Sequence, residues 1–330
     1  MKRSTSRSGF ALLMVLVLVL VAGVALAGLA SRSMERAVQA KSDIEEVQRK
    51  WAVTSARSTL LERAGLLLHE AERKDPDATE RGERDEAPFY RPLRRIELRT
   101  ELAGLDYRFV VSDEQTKANV NTLIDRLGRA DAQRVIADLL RDRVGSPAAA
   151  AARVRFRTYE MRGASDEESS HAAIVGYSQA FEQVTPELLL PQDPDRGLAG
   201  SVTCWGSGQL NFHRTPDEIL EAVFAKDIRR STVRRLLEAR EDQPRLALDD
   251  ALARIDRLDE DEKREIRRHL TDASRTFSLW IVARNGQRSW HRLAVRGTRS
   301  GVPQPSDADS DPAASANPSG TMTAPLFFSW

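Results

Sequence analysis

The feature that most constrains this chain is a run of uncharged, mostly apolar residues near its N-terminus. No charged side chain occurs in the 21 positions from Phe10 to Ala30. A helix of this length spans roughly 30 Å, which is the thickness of the hydrocarbon core of a bilayer. The run therefore predicts a transmembrane helix.

The residues ahead of this run predict its orientation. Lys2, Arg3 and Arg7 precede it, and no acidic residue does. Because basic residues stay on the cytoplasmic side of a membrane, the N-terminus is expected inside and the remaining roughly 300 residues outside. In a bacterium this corresponds to a single pass through the inner membrane, with a cytoplasmic N-terminus and a periplasmic head.

Three interpretations of the segment compete. A cleaved secretory signal would use the A-x-A site at Ala25-Leu26-Ala27, but the apolar run exceeds the usual length of about 7 to 15 residues. A plain signal anchor is the second interpretation. The third starts from the junction itself, where a short basic leader ends in Gly9 and Phe10 opens the apolar helix.

This junction resembles the class III signal of type IV pilins and type II secretion pseudopilins. The resemblance implies that a prepilin peptidase cleaves after Gly9 and that Phe10, the new N-terminal residue, is N-methylated. A glycine suits such a site because a side chain there would obstruct the close approach of a protease to the backbone.

The sequence after the apolar run predicts that the helix continues. No Gly or Pro occurs from Ser31 to Ala64. Apolar residues recur there at steps of three and four: Ala37, Ala40, Ile44, Val47, Trp51 and Leu61. A helix from Phe10 to about Leu68 would be roughly 90 Å long. The apolar stripe suits both packing on the chain's own head and packing between subunits of a filament.

Met14 occupies the fifth position of the expected mature chain. Pilin-like proteins usually have Glu there, and a carboxylate in the bilayer costs about 2.5 to 3.5 kcal/mol unless it meets a partner. In the family this partner is the methylated amine of the adjoining subunit. The K-type minor pseudopilin lacks the Glu and is placed at the filament tip, so Met14 implies a tip subunit by resemblance.

The first part of the polar region predicts a linker followed by a sheet and a helix. Residues 73–92 are charged and contain Pro, which is typical of a linker. Two alternating segments, Ile96 to Leu102 and Tyr107 to Val111, flank Gly104 and predict a hairpin. Helical patterning then runs to about Val144.

The second part predicts further helices and a final hairpin. Thr215, Pro216 and Glu218 form a capping-box helix start, and Asn285-Gly286 is the strongest hairpin signal. The other predicted segments are a helix start at Thr185-Pro186-Glu187, helices over Ser231 to Ala239, Leu248 to Ile255 and Glu260 to Leu270, and hairpin strands over Phe277 to Ala283 and Ser289 to Arg296. The polar tail beyond Gly301 is predicted to be disordered. Its apolar end, residues 326–330, could dock on another surface, but the sequence favours simple fraying.

Two motifs strengthen the resemblance. The chain resembles K-type pseudopilins (GspK proteins) over about residues 7–297, in the order of its segments and in a set of motif residues. These are Asp113-Glu114 with Asn119-Val120-Asn121, and Thr203, Gly206, Gly208 and Asn211. One position departs from the family, since His213 replaces the second Asn of the usual Asn-x-Asn-Thr.

The resemblance implies an α+β, pilin-like fold: a long N-terminal transmembrane helix, a small antiparallel sheet head and a large inserted helical domain. The expected organisation is given by the following ranges: leader 1–9, transmembrane stem 10–30, extramembrane stem 31–72, linker and first part of the sheet 73–122, helical insertion 123–202, Gly/Asn motif and second helical part 203–275, C-terminal hairpin 276–300 and tail 301–330.

The Asn residues of the first motif have a structural interpretation. Alternate positions on an extended strand place both side chains on one face. There they can bond backbone groups at a strand-to-helix corner. We therefore expect Asn119 and Asn121 to serve the architecture rather than a ligand.

No pattern in the sequence indicates an enzyme. The five His residues lie far apart without zinc-site spacing, and the lone Cys204 excludes an intrachain disulfide. Cys204 with His213 lacks an orienting third group. The glycines at 206 and 208 match neither a dinucleotide fingerprint nor a phosphate loop.

Calcium is the one cofactor that remains a candidate, and no cofactor is certain. An EF-hand-like start at Asp307, Asp309 and Asp311 is rejected because Pro312 stands where Gly is required. Other acidic residues could ligate the ion or form a solvated acidic loop: Asp166, Glu167, Glu168, Asp193 and Asp195.

The charge balance argues against a nucleic-acid partner. Lys plus Arg total 50 against 49 for Asp plus Glu, a net charge of +1. No Gly occurs between Gln209 and Asn285 that could form a phosphate-binding hairpin.

The predicted function is a non-enzymatic minor pseudopilin at the tip of a type II secretion pseudopilus, with other minor pseudopilins, prepilin peptidase and the membrane as partners. The alternatives are a minor pilin of a type IV pilus and a membrane-anchored periplasmic DNA-uptake or binding protein.

Overall fold

A computed structural model describes most of the chain. The described residues are 7–73, 92–144, 155–156, 174, 176–182, 184–191, 197–224, 228–255, 258–286, 288–297 and 326–329. The chain divides into two compact units, Met1–Ser55 and Ala56–Trp330.

The first unit is a single helix. Helix α1 covers Arg7–Ala56, and no Pro interrupts it. Its described apolar side chains from Phe10 to Trp51 are exposed, Leu16 for example by 63%, whereas Ala52 is buried. A continuous exposed apolar surface of this size requires lipid or another protein to cover it.

The second unit begins where the helix changes its winding. A π-helical turn over Arg57–Leu61 follows α1, and helix α2 covers Ala64–Arg73. The prediction of one regular helix to about Leu68 is therefore wrong between 57 and 63. A π turn changes the helical phase. Leu61 at its end and Leu68 in α2 are both buried beside the sheet.

The centre of this unit is a five-stranded antiparallel sheet. Its strands are β1 (Arg95–Leu102), β2 (Leu105–Asp113), β7 (Phe277–Asn285), β8 (Arg288–Arg296) and β9 (Leu326–Ser329), in the spatial order β1-β2-β7-β8-β9. The long excursion between β2 and β7 forms the helical part of the unit.

Both predicted hairpins are confirmed. Strands β1 and β2 pair from Arg95 opposite Ser112 to Leu102 opposite Leu105. Ala103 and Gly104 make the turn with φ values of 54° and 76°, as two-residue hairpins require. Strands β7 and β8 pair up to Asn285, and Gly286 in their turn has a φ of 56°.

The inserted segment is mainly helical. Its elements are β3 (Ala118–Asn119), α3 (Val120–Leu127), α4 (Arg129–Val144), α5 (Tyr177–Ala180), α6 (Pro186–Leu189), β4 (Val202–Thr203), β5 (Leu210–Asn211), α7 (Asp217–Phe224), α8 (Arg230–Asp242), α9 (Leu248–Arg254), α10 (Glu260–His269) and β6 (Leu270–Thr271). Gly128, with a φ of 75°, separates α3 from α4. Two short parallel pairs, β3 with β4 and β5 with β6, tie the motif segments together.

The sheet has hydrophobic cores on both faces. On one face Val110, Trp280 and Leu293 belong to the same buried cluster as insertion residues such as Ile136 and Phe212. Residues of the opposite parity on β2 and β7, among them Val111 and Leu279, are buried as well. Since α2 contacts β1 and β2, the sheet lies between α2 and the inserted helices.

The chain's C-terminal residues return to the sheet. Strand β9 pairs antiparallel with β8, from Val295 opposite Leu326 to Arg292 opposite Ser329. The predicted disorder of the tail 301–330 thus differs from the structure at these four residues, because their backbone groups complete the β8 edge. Residues 298–325 lie outside the described part of the chain.

Candidate assembly site

The residues predicted for processing and packing all lie in α1. Gly9 and Phe10 are in its first turn, and Met14 follows one turn later. Phe10 is 67% exposed and Met14 is 61% exposed. By length and composition this helix could cross a membrane.

The part of α1 beyond the apolar run also has an uncovered apolar stripe. Ala37, Ala40, Ile44, Val47 and Trp51 follow one another at alternating steps of three and four, and all five are exposed. This is the spacing of a coiled-coil seam. The stripe is therefore suited to contact a second helix along its length.

Charged residues between the members of this stripe pair within the helix. The Nζ of Lys50 lies 2.6 Å from a carboxylate oxygen of Glu46, and Arg49 pairs with Glu45 at 3.9 Å. Exposed pairs at this spacing each stabilise a helix by about 0.3 to 0.5 kcal/mol. They support the extended stem without covering its apolar stripe.

In the second unit, predicted motif residues meet three others, Glu72, Arg214 and Ser274, in a largely buried network that we call the polar junction. Its predicted members are Asp113, Glu114, Asn119, Asn121, Thr203 and Asn211. It lies where β2 ends and the insertion begins, and it also includes residues that immediately precede β7.

The two Asn residues of the first motif hold one loop. Asn119 accepts a hydrogen bond from Thr122 N–H as the N-cap of α3 and donates to the Trp205 carbonyl at 2.8 Å. Asn121 donates to the carbonyls of Ile174 and Cys204 and accepts from Ile174 N–H. Their bonds therefore go to backbone groups.

The strand placement predicted for Asn121 is wrong. Asn119 is in β3, but Asn121 is the second residue of α3. The physical reason is the cap, since a side-chain acceptor at Asn119 satisfies a free N–H group and starts the helix at Val120. Both residues still bond the same loop, because Trp205 and Cys204 are neighbours in the chain.

Two glycines of the second motif allow close packing of this loop. Gly206 and Gly208 have φ values of 96° and 82°, which L-residues with side chains rarely adopt. A Cβ at Gly208 would lie 2.0 Å from Thr122 Oγ1, and one at Gly206 would lie 3.3 Å from Thr276 Oγ1. Just ahead of them, Thr203 Oγ1 accepts a hydrogen bond from Trp205 N–H.

Asn211 shapes the turn after β5. Its Oδ1 accepts from the N–H groups of His213 and Arg214, and its Nδ2 donates to Ser274 Oγ at 2.8 Å. His213, the position that departs from the family pattern, has one ring nitrogen 3.2 Å from the Pro244 carbonyl and the other 3.1 Å from Asp272. Its ring therefore connects two loops of the insertion.

The predicted helix start at Thr215 is shifted. Helix α7 begins at Asp217, and the Thr215 hydroxyl donates to the carbonyl of Gln115. In contrast, Thr185 caps α6 as predicted by accepting from Leu188 N–H.

The centre of the polar junction is a guanidinium group between two buried carboxylates. Arg214 donates to Glu72 at 3.0 Å and 3.3 Å and to Asp113 at 3.4 Å. Both carboxylate side chains are completely buried. These interactions link α2, the end of β2 and the turn after β5.

The protonation of this group reflects its burial. Burial raises the pKa of Asp113 to about 6, although hydrogen bonds from Ser274 and Gln115 and the charge of Arg214 oppose the change. The two carboxylates raise the pKa of Arg214 despite its own desolvation. Arg214 therefore remains charged, whereas Asp113 takes up a proton when the pH falls below its pKa of about 6.

A second buried pair lies one residue further along. Lys117 donates to Glu114 Oε1 at 2.5 Å, and the Ser278 hydroxyl donates to the same oxygen. Among the described residues, the other carboxylate oxygen of Glu114 has no hydrogen-bond partner. Its charge, together with burial, raises the pKa values of Tyr177 and Cys204.

Sequence reasoning missed three members of this region. Glu72 and Ser274 pair with residues 142 and 161 positions away, and no motif singled out Arg214. In contrast, the Glu114–Lys117 pair has a local signal in the sequence, because the two residues are three positions apart.

The described residues offer little for catalysis or metal binding. Within them, no group of three or more His, Cys, Asp and Glu side chains could hold a metal ion. The buried thiol of Cys204, with its pKa raised, is a poor nucleophile. The calcium candidates Asp166, Glu167, Glu168, Asp193 and Asp195 lie outside the described part of the chain.

Comparison with known proteins identifies no family. No protein-family model and no curated protein matches the chain. One solved structure that is similar is the crystal structure of the GspK-GspI-GspJ complex from the enterotoxigenic Escherichia coli type 2 secretion system. The match has 15% identity and a TM-score of 0.37, and it covers 78% of this chain and 93% of that chain.

Proposed function

We propose that this protein is a non-enzymatic minor pseudopilin of a type II secretion system, most similar to the K type. The observation that carries the proposal is helix α1. Its apolar residues are exposed over the whole membrane-length segment, and the leader-like junction at Gly9 and Phe10 stands in its first turn.

The proposed mechanism is assembly in four steps. The chain inserts with its N-terminus in the cytoplasm and its head in the periplasm. A prepilin peptidase cleaves after Gly9, and Phe10 becomes the methylated N-terminus. The segment from Phe10 to Ala30 then leaves the lipid to pack against the same segment of neighbouring pseudopilins. The exposed stripe from Ala37 to Trp51 extends this contact beyond the membrane.

Met14 supports a position at the tip. An internal subunit of the family uses a carboxylate at this position to meet the amine of its neighbour, and an unpaired carboxylate in lipid is costly. A methionine makes no such contact. The pilin-like head, enlarged by the insertion between β2 and β7, would then cap the pseudopilus.

The test determines the N-terminal residue of the mature protein. Gly9→Leu should block cleavage, because a side chain at this position prevents the close approach that the peptidase needs. The protein is expressed with its peptidase, extracted from membranes and sequenced from its N-terminus by mass spectrometry. The natural sequence is expected to start at Phe10, and the variant at Met1.

A matched control is Gly23→Leu, a substitution of the same kind in the same helix. Gly23 has open space around it, so this variant should still be processed. A natural chain that starts after Ala27, or that remains uncleaved beside a processed control substrate, would refute the proposal. A Gly9→Leu protein that still starts at Phe10 would do so too.

A further inference from the structure

The C-terminal segment forms the last strand of the sheet. Residues Leu326–Ser329 pair antiparallel with the stretch of β8 from Arg292 to Val295. Two of the β8 residues in this stretch, Leu293 and Val295, belong to the main hydrophobic core. Without β9, a row of backbone N–H and C=O groups next to that core would have no strand partner.

The pairing is short compared with its neighbour. Strand β9 contributes four residues, whereas β7 and β8 pair over nine positions. Stability in a sheet comes from cross-strand contacts, pair by pair. Strand β9 is therefore the easiest strand of this sheet to remove.

The connection to β9 is far longer than the geometry needs. An antiparallel neighbour can be joined by about 2 to 5 residues. Here 28 residues, from Thr298 to Pro325, separate the strand from Gly297, and five of them are Pro. A random-coil linker of this length would have a root-mean-square span of roughly 30 Å, so the number of connecting residues is sufficient to reach an adjacent molecule.

We propose that the β8 edge is an exchangeable strand-docking site. In an isolated molecule it holds the C-terminal segment of its own chain, and among closely spaced molecules it holds the same segment of a second copy. The occupant is an extended apolar strand with the sequence Leu-Phe-Phe-Ser, and backbone hydrogen bonds supply the binding. This inference is independent of the proposed role in secretion.

Concentration decides between the two states. A flexible linker gives a tethered segment an effective concentration on the order of millimolar. In dilute solution the intramolecular strand therefore prevails, and the molecule is monomeric. Anchored side by side in a membrane, neighbouring tails reach comparable local concentrations and exchange becomes competitive.

The first experiment tests the site itself with the full-length protein in detergent. Arg292 and Ser329 are directly opposite, so Cys residues at both positions meet the spacing of a disulfide. Under mild oxidation, Arg292→Cys/Ser329→Cys should form an intramolecular disulfide, detected by peptide mapping. The natural Cys204 is buried and does not compete.

The matched control moves one cysteine along the same strand. Arg288 is exposed like Arg292, but it lies roughly 13 Å further along β8. Arg288→Cys/Ser329→Cys should therefore form little disulfide. Equal yields in the two double variants would overturn the docking site, because the tail would then have no defined register.

The second experiment tests exchange between copies. Arg292→Cys and Ser329→Cys proteins are mixed, and the cross-linked dimer is measured as concentration rises. Deleting residues 298–330 from the Arg292→Cys partner removes the competing tail. At a protein concentration of about 10 μM this should raise the dimer yield by up to about 100-fold.

Two controls separate exchange from random collision. The Arg288→Cys partner should give no increase, and Phe327→Pro/Phe328→Pro in the donor tail should abolish the dimer because Pro cannot pair in a strand. If reconstituted vesicles with densely packed protein give no dimer even from the tail-deleted acceptor, the proposed exchange is wrong.

Discussion

Replacing Asp113 with Asn is expected to remove a pH dependence of stability between about pH 4 and pH 6. The carboxyl group is completely buried at the end of β2. It accepts hydrogen bonds from Gln115 N–H, the Ser274 hydroxyl and Arg214. These interactions only partly compensate for the hydration energy that the carboxylate loses on burial.

The magnitude follows from the pKa. Burial raises the pKa of Asp113 from its ordinary value of 3.8 to about 6. This difference corresponds to about 3 kcal/mol. Because the folded state holds the proton more tightly, the contribution of this group to stability is largest below pH 4. It falls as the pH rises through 6 and is constant above.

The assay is urea unfolding of the detergent-solubilised protein at several pH values, followed by the fluorescence of the buried Trp205 and Trp280. Other groups also titrate in this range, so the measured quantity is the difference between variant and natural protein. Asp113→Asn should gain about 3 kcal/mol relative to the natural protein between pH 4 and pH 7.

The control is Asp106→Asn, which changes an exposed carboxylate on the same strand. Its difference from the natural protein should stay nearly constant with pH. If the Asp113→Asn difference is equally flat, the carboxyl is not the source of the pH dependence and the reasoning from burial fails.

Two further substitutions test the packing and charge of the polar junction. Gly208→Ala should destabilise the protein by about 2 to 4 kcal/mol in the same assay, because it combines a strained φ with a clash against Thr122. The control Gly104→Ala has a similar φ but open space around it, so it should cost only about 1 to 2 kcal/mol. Equal costs for the two variants would contradict the clash. Arg214→Met should cost about 3 to 5 kcal/mol because it removes the guanidinium that two buried carboxylates share. Adding Glu72→Gln should recover part of the loss, and no recovery would contradict the charge argument.

Much of the fold could be predicted because its signals are local. The hairpin turns at Gly104 and Gly286 are predictable because glycine readily adopts the positive φ that these turns require. The helical patterning up to Val144 follows from apolar spacing, but the break between α3 and α4 at Gly128 was not predicted. The π turn after Ala56 has no such signal, since it serves the fit of α2 to the sheet.

The candidate site was only partly predictable. The motif residues Asn119, Asn121 and Asn211 stood out in the sequence, but their partners did not. Asn119 bonds Trp205, which is 86 positions away, and Arg214 joins Glu72 across 142 positions. No periodicity or turn rule connects residues so far apart.

The sequence by itself determined the long apolar helix and the local strands and turns, because the period of apolar residues and the φ preferences of glycine act within a few positions. Only the tertiary structure decided which buried carboxylates share Arg214, where Gly208 meets α3, and that the C-terminal residues close the β8 edge. Those outcomes depend on burial and on pairing between distant segments, which exist only once the chain has folded.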